Sequence, residues 1–155
     1  IIFNIFRQKP ITALFEQARR RGVALIVRLP LASGLLAGKF KQGSTFAADD
    51  HRTYNRDGQA FNVGETFAGL PFEKGLELVE TIRPLAPAGI TMAQMAMRWI
   101  LDHPEVTVVI PGATRVEQAQ GNAACSDLPP LSADLHEQLR RVHDQQVAPH
   151  IRGPY

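Results

Sequence analysis

The sequence predicts an α/β fold with about three parallel strands and helices packed around them. Three observations carry that reading: short apolar runs without alternation, stretches of helical period between them, and a length of 155 residues. Continuous apolar runs are the mark of parallel strands covered on both faces. Strands that alternate with helices pair through right-handed crossovers. Three strands alone would present unpaired backbone at each edge, so something further is expected to complete the sheet.

The elements follow in order. Ile1 to Phe6 is a short apolar run that feeds the polar Arg7-Gln8-Lys9-Pro10 and reads as a buried strand. Ile11, Leu14, Phe15 and Ala18 then fall on one helical face, and Gly22 supplies a left-handed stop. Val23 to Val27 is the second strand, running into Arg28-Leu29-Pro30-Leu31-Ala32-Ser33-Gly34. From Phe40 to about Gly69 the chain turns to Gly, Asp, Asn, Thr and Ser without a sustained period, the composition of a functional loop or lid. A helix starts near Pro71, with Phe72, Leu76, Val79 and Ile82 on one side, and ends at Pro84 and Pro87. Thr91 caps the next, whose apolar stripe is Met92, Met95, Ala96, Trp99 and Ile100. His103-Pro104 stops it before the third strand, Val106 to Ile110. Pro111-Gly112 turns into a helix from about Val116 to Ala123, and a last helix begins after Ser132, with Leu135, Leu139 and Val142 inward, ending before Pro149.

Composition narrows the classes. Hydrophobic residues at 45% and charged residues at 21% suit a globular domain and exclude an extended disordered chain. No run approaches the roughly 20 apolar residues of a membrane-spanning helix, so no membrane partner is expected. A net charge of +2 is too small for a nucleic-acid footprint. Arg19, Arg20 and Arg21 close a helix, where positive charge is favoured, and read as a solvated helix end. The single cysteine, Cys125, permits no internal disulfide and points to a reducing, cytoplasmic setting. The chain opens at Ile1, without a methionine, which predicts a fragment of a longer protein.

Two strand ends carry the chemistry. In Arg28-Leu29-Pro30-Leu31-Ala32-Ser33-Gly34-Leu35-Leu36-Ala37-Gly38-Lys39, small residues let backbone amides and the Ser33 hydroxyl approach a pyrophosphate, and Lys39 adds positive charge. In Ile110-Pro111-Gly112-Ala113-Thr114-Arg115-Val116-Glu117-Gln118-Ala119-Gln120-Gly121-Asn122, a glycine precedes a helix N-terminus, and Gln118 and Asn122 lie one turn apart on one face. Taken singly, each segment also suits an ordinary loop followed by a helix cap. On successive strands they converge on one dinucleotide.

The segments RLPLASGLLAGK and VVIPGATRVEQAQGNAA resemble the two cofactor-binding segments of the aldo-keto reductases, and FNIF resembles the end of that family's sixth strand. The resemblance runs from there to the final helix. It implies a partial (β/α)8 TIM barrel, the C-terminal half of a single oxidoreductase domain spanning 1–155. It also implies NADP(H) as cofactor and a small carbonyl substrate, reduced by hydride transfer. By resemblance Pro30, Leu31, Ala32 and Ser33 line the pyrophosphate and ribose, Lys39 and Arg52 reach its charge, and Ile110 packs beneath the base. Gly112, Thr114 and Arg115 surround the adenosine phosphate, with Gln118 and Asn122 on the adenine. Asp49-Asp50-His51-Arg52 resembles the loop after strand seven, which folds over the dinucleotide; by itself it is a solvated charge run.

Two departures stand out. Arg28 occupies a position where many members place an aromatic ring against the nicotinamide, and a guanidinium plane can also stack there. Gly121 stands where glutamate is common, and Arg115 becomes the expected reader of a 2′-phosphate. The family's catalytic aspartate, tyrosine, lysine and histidine come from earlier strands, and none maps here. Tyr54 and Tyr155 lie in a loop and at the terminus, so the chain is expected to be inactive alone. An NADPH-holding regulatory subunit and a non-catalytic half barrel share these features. The remaining candidates read as structural. His136 and His143 are about 10 Å apart along one helix, too far for one metal, and read as surface histidines. Cys125 has nothing beside it to activate the thiol and reads as inert and partly buried.

Overall fold

The computed structural model describes residues 1–153, so Tyr155 lies outside the described residues. Strand β1 (Leu25–Val27) pairs in parallel with β2 (Val106–Val109), in the register Ile26 to Val108 and Val27 to Val109. The ladder runs on past the strands, where the Ile110 N–H donates to the Val27 carbonyl at 2.9 Å. On the other side of β1 lies the opening segment. The Ile1 ammonium donates to the Ile26 carbonyl at 2.8 Å, and the Arg28 N–H to the Ile1 carbonyl at 2.9 Å.

The expected first strand is thus a single parallel bridge, Ile2 to Arg28, and the regular sheet has two strands where about three were expected. The cause is Asn4. Its side-chain oxygen accepts the Phe6 N–H at 2.9 Å and its backbone pairs with Arg7, so the chain turns before a second bridge forms. Coverage differs too. Leu25 and Val27 are buried, but Ile26 is 53% exposed and Val108 42%, so one face of the sheet is open where both were expected to be covered.

Helices pack against the closed face. The expected first helix is two, α1 (Pro10–Ala13) and α2 (Phe15–Arg21), broken at Leu14, whose φ of −132° leaves the helical region. Gly22 stops α2 with φ +61° and nothing near it, and Arg19, Arg20 and Arg21 are exposed. Helix α3 is one turn, His51–Tyr54, inside the long loop. Helices α4 (Phe72–Ile82) and α5 (Met92–Leu101) bring the apolar stripes, with Met92, Met95, Ala96, Trp99 and Ile100 all buried. Thr91 and Gln94 form a reciprocal capping box at the start of α5. Helix α6 (Val116–Ala124) buries no residue fully, while α7 (Ala133–Val142), capped by Ser132, buries Leu135 and Leu139.

Two aromatic groups close the core. Phe3 meets Phe15 edge-on and tilts against Trp99, each at a centroid distance of 4.9 Å. Phe40, Phe46, Phe67 and Phe72 form the second, which fastens the long loop onto α4. Cys125 is fully buried and donates to the Gly121 carbonyl, and burial pushes its thiol pKa up. The histidines of α7 and its end are not surface groups: His143 is buried, and half-buried His136 meets Asp102 at 2.9 Å. Asp102 also accepts from Arg98 and from the Leu131 N–H, tying α7 to α5.

His103 packs against Phe3, Phe15 and Trp99, and its Nε2 is buried without a hydrogen-bond partner among the described residues. Burial, with His136 second, pushes its pKa down from 6.5 to about 4. The unfolded chain therefore binds a proton as pH falls below 6.5 while the folded chain does not. Stability should fall between pH 6.5 and 4, by at most about 3 kcal/mol for this group and less where solvent screens the charge, and then level. His103→Phe should flatten that fall in denaturant titrations at stepped pH; an unchanged slope would contradict it. Thr91→Ala should cost about 1 kcal/mol in the same assay at pH 7.

Candidate functional site

The chain leaves β1 into a strained loop. Leu29, Ala32 and Ser33 have φ of 55°, 48° and 56°, a left-handed backbone that L side chains resist. Neighbours hold it there. The Asn4 amide donates to the Leu29 carbonyl at 2.9 Å. The Ser33 hydroxyl donates to the Glu65 carbonyl and accepts the Phe67 N–H, both at 3.2 Å, with His51 Nε2 3.3 Å away. Phe67 and Ala68 are themselves left-handed, at 50° and 58°, so two strained turns brace each other. Pro30 and Ala32 are buried, and Leu31 and Ser33 half-buried. Gly34, at φ +96°, would be strained as any other residue, and a Cβ there would lie 2.8 Å from the Phe40 ring, which would have to shift, and 3.7 Å from an Arg52 nitrogen.

The second loop leaves β2 at the same end of the sheet, because the strands are parallel and Val27 is level with Val109. Ile110 is 53% exposed, and Gly112, Thr114 and Arg115 lie on the surface. Gln118 Oε1 accepts from the Thr114 N–H at 2.8 Å and hydroxyl at 3.0 Å, and the Asn122 amide donates to the Gly112 carbonyl at 3.3 Å. Gln118 Nε2 and Asn122 Oδ1 are left unbonded among the described residues, and both side chains line the cleft described next.

A cleft of about 400 Å³ joins the loops, lined by Leu31, Ala37 and Lys39 on one side, Gly112, Gln118 and Asn122 on the other, and Thr91 and Gln94 of α5. Nothing approaches within 4 Å of a Cβ built on Gly112 or Gly121, so the backbone there is open to a ligand. Lys39 lines it without a hydrogen bond or ion pair among the described residues; Thr114 and Arg115 follow Gly112 outside the lining, and Arg115 is likewise unpaired among the described residues. Small residues, amide side chains and two uncommitted cations suit a phosphorylated adenosine. Arg28, Pro30, Ala32, Ser33 and Ile110 follow the strand ends outside this lining, with Pro30 and Ala32 buried. Arg52 reaches the strained turn at Gly34, but its guanidinium is spent on Asp50, at 2.9 and 2.6 Å, and lies 4.3 Å over the Phe46 ring. Arg52 in turn holds the Asp50 carboxyl at a pKa of about 2.

Glu65 had no signal in the sequence. Its carboxylate grips Arg28 in a two-pronged ion pair across 37 positions, and that contact lowers the Glu65 pKa. Tyr54 is 46% exposed on α3 and packs edge-on against Phe61. Ser33→Ala would strip the Phe67 N–H of its acceptor. It should destabilise the chain by about 1–2 kcal/mol. Amide exchange should quicken across residues 63–69 while α5 stays protected; equal exchange in both proteins would mean the hydroxyl does not hold the loop.

Comparison with known proteins adds the following. Residues 1–144 match the family model described as Aldo/keto reductase family. The chain is 32% identical over 83% of its length to a probable voltage-gated potassium channel subunit beta of Arabidopsis thaliana, spanning 38% of that protein. It is 31% identical over 88% of its length to an L-glyceraldehyde 3-phosphate reductase of Escherichia coli O157:H7, spanning 37% of it. The matched portion is the relatives' C-terminal part. The glycerol dehydrogenase of Gluconobacter oxydans superposes on 99% of the chain with a TM-score of 0.71 at 24% identity, the chain spanning 42% of its length. At that identity the likeness carries the fold, part of a (β/α)8 barrel.

Proposed function

The chain belongs to the aldo/keto reductase family, and on that premise we propose that it is the C-terminal part of a single NADP-dependent oxidoreductase barrel domain. Its parent reduces small aldehydes or ketones in the cytoplasm. The observation that supports this most is the level register of Val27 with Val109, which sets both candidate phosphate loops at one end of the sheet. Ligands of α/β barrels sit at that end, with phosphates on the last two loops.

When bound, NADPH supplies the hydride that reduces the carbonyl carbon. The chain's own part is to bind and orient. Lys39 and Arg115 attract phosphate charge, and Arg115, exposed at the α6 N-terminus, reads the 2′-phosphate. Gln118 and Asn122 present an amide edge to the adenine, Leu31 and Ile110 pack its apolar faces, and Pro30, Ala32 and Ser33 shape the turn by the pyrophosphate. Arg52, its charge offset by Asp50, stabilises that turn. Gly112 and Thr114 leave room for the adenosine phosphate. Proton donation to the alkoxide comes from outside these residues, so turnover requires more than this chain.

A second reading has its own support, the 32% identity to a protein named as a probable potassium channel subunit beta. In it, the same cleft senses the dinucleotide for a partner and turnover is slight. A half barrel that assembles with another chain is the third.

Calorimetry on the purified chain tests the binding claim shared by all three. NADPH and 2′,5′-ADP should bind at one site. Arg115→Ala should weaken both about tenfold, the loss of one charge-assisted phosphate contact, and leave NADH unchanged. No binding of either ligand at millimolar concentration would defeat the reading. The chain alone should show no NADPH-dependent carbonyl reduction, and measurable turnover would overturn that expectation.

A further inference from the structure

Arg28 closes β1 on the open face of the sheet. Side chains alternate along a strand, so Arg28 shares the face of Ile26, opposite buried Leu25 and Val27. Its side chain is 45% exposed, and no ring stacks on it among the described residues. Both terminal nitrogens are engaged by Glu65, one to each carboxylate oxygen. A fork-to-fork pair of this kind fixes the guanidinium plane and leaves its two flat faces free. Glu65 is placed firmly enough to do this. It ends a turn, Val63–Glu65, whose last carbonyl accepts the Ser33 hydroxyl, and the left-handed Phe67-Ala68-Gly69 follows, all three buried.

We propose that Glu65 is a positioning residue for the nicotinamide end of the dinucleotide: it holds Arg28 flat for stacking and offsets its charge. This rests on the dinucleotide reading above. The second role follows from the ring's own charge. Oxidised nicotinamide is a cation and reduced nicotinamide is neutral, so an unpaired guanidinium beside the ring repels only the oxidised form. Glu65 offsets the charge of Arg28, while the Ile1 ammonium also faces Arg28 and Arg7 and His51 also face Glu65, so removing the Glu65 carboxylate alone leaves excess positive charge beside the ring and disfavours the oxidised form.

The test is the ratio of dissociation constants for NADP⁺ and NADPH, measured by calorimetry on the full chain. A ratio within one variant cancels any uniform loss of folded protein. Glu65→Gln keeps the shape and removes the charge, and should weaken NADP⁺ about fivefold more than NADPH, the order expected for one partly screened charge. Glu65→Asp, which keeps the charge, should stay within about twofold of the parent ratio. The double variant Arg28→Met with Glu65→Gln, which removes both charges, should return the ratio toward the parent's. Equal weakening of both forms by Glu65→Gln, or no recovery in the double variant, overturns the proposal. If 2′,5′-ADP binds and neither dinucleotide binds tighter, Arg28 does not meet the ring and this proposal alone falls. If 2′,5′-ADP also fails to bind, the dinucleotide reading falls with it.

Discussion

Parallel pairing of β1 with β2 is the constraint on which the candidate site depends. Hydrogen bonds between these strands run from Leu25 to Ile110, and the register makes Val27 and Val109 neighbours. An antiparallel pair, or a strand inserted between them, would send the two loops to opposite ends or out of reach. With the observed order, Leu31 and Lys39 face Gly112, Gln118 and Asn122 across a single cleft. None of these side chains needs unusual chemistry; what matters is that two ordinary loops begin side by side.

The first loop is costly to form, and much of the chain serves to hold it. Left-handed Leu29, Ala32 and Ser33 are each anchored from a different part of the sequence: by Asn4 from the opening segment, by burial, and by the Glu65 to Phe67 stretch. The long loop thus does more than cover the site. Its phenylalanines fix it to α4, and in that position Glu65 meets Arg28 and Arg52 lies against Gly34. Strain concentrated where small residues approach a ligand is a familiar feature of binding sites, and here the backbone angles themselves display it.

Much of this was legible in the residues. Helical period placed the stripe of α5 correctly, and Thr91 announced its cap, because both signals are local. Gly22 as a stop is legible for the same reason. The opening strand was misread because Ile1 to Phe6 is apolar enough for a strand, while the Asn4 side chain turns the chain through a contact that apolarity cannot register. Reading β1 as covered on both faces failed because an apolar run reports what a strand can bury, and Ile26 and Val108 remain about half exposed. His143 was misplaced because helical spacing locates a face and not what packs against it. Within the site, the two glycine-containing loops carried their own signal, whereas Glu65 stands 37 positions from Arg28 in a stretch without period. Arg52 entered the site only through the resemblance, since Asp49-Asp50-His51-Arg52 by itself is a solvated charge run, and its capture by Asp50 needed the geometry of one helical turn.

The sharpest single measurement follows backbone amide resonances of the isotopically labelled chain during titration with 2′,5′-ADP. One shared cleft predicts that amides between Leu31 and Lys39 and amides between Gly112 and Asn122 shift together, saturating with the same dissociation constant. Shifts confined to one loop, or two loops saturating at different concentrations, would contradict it.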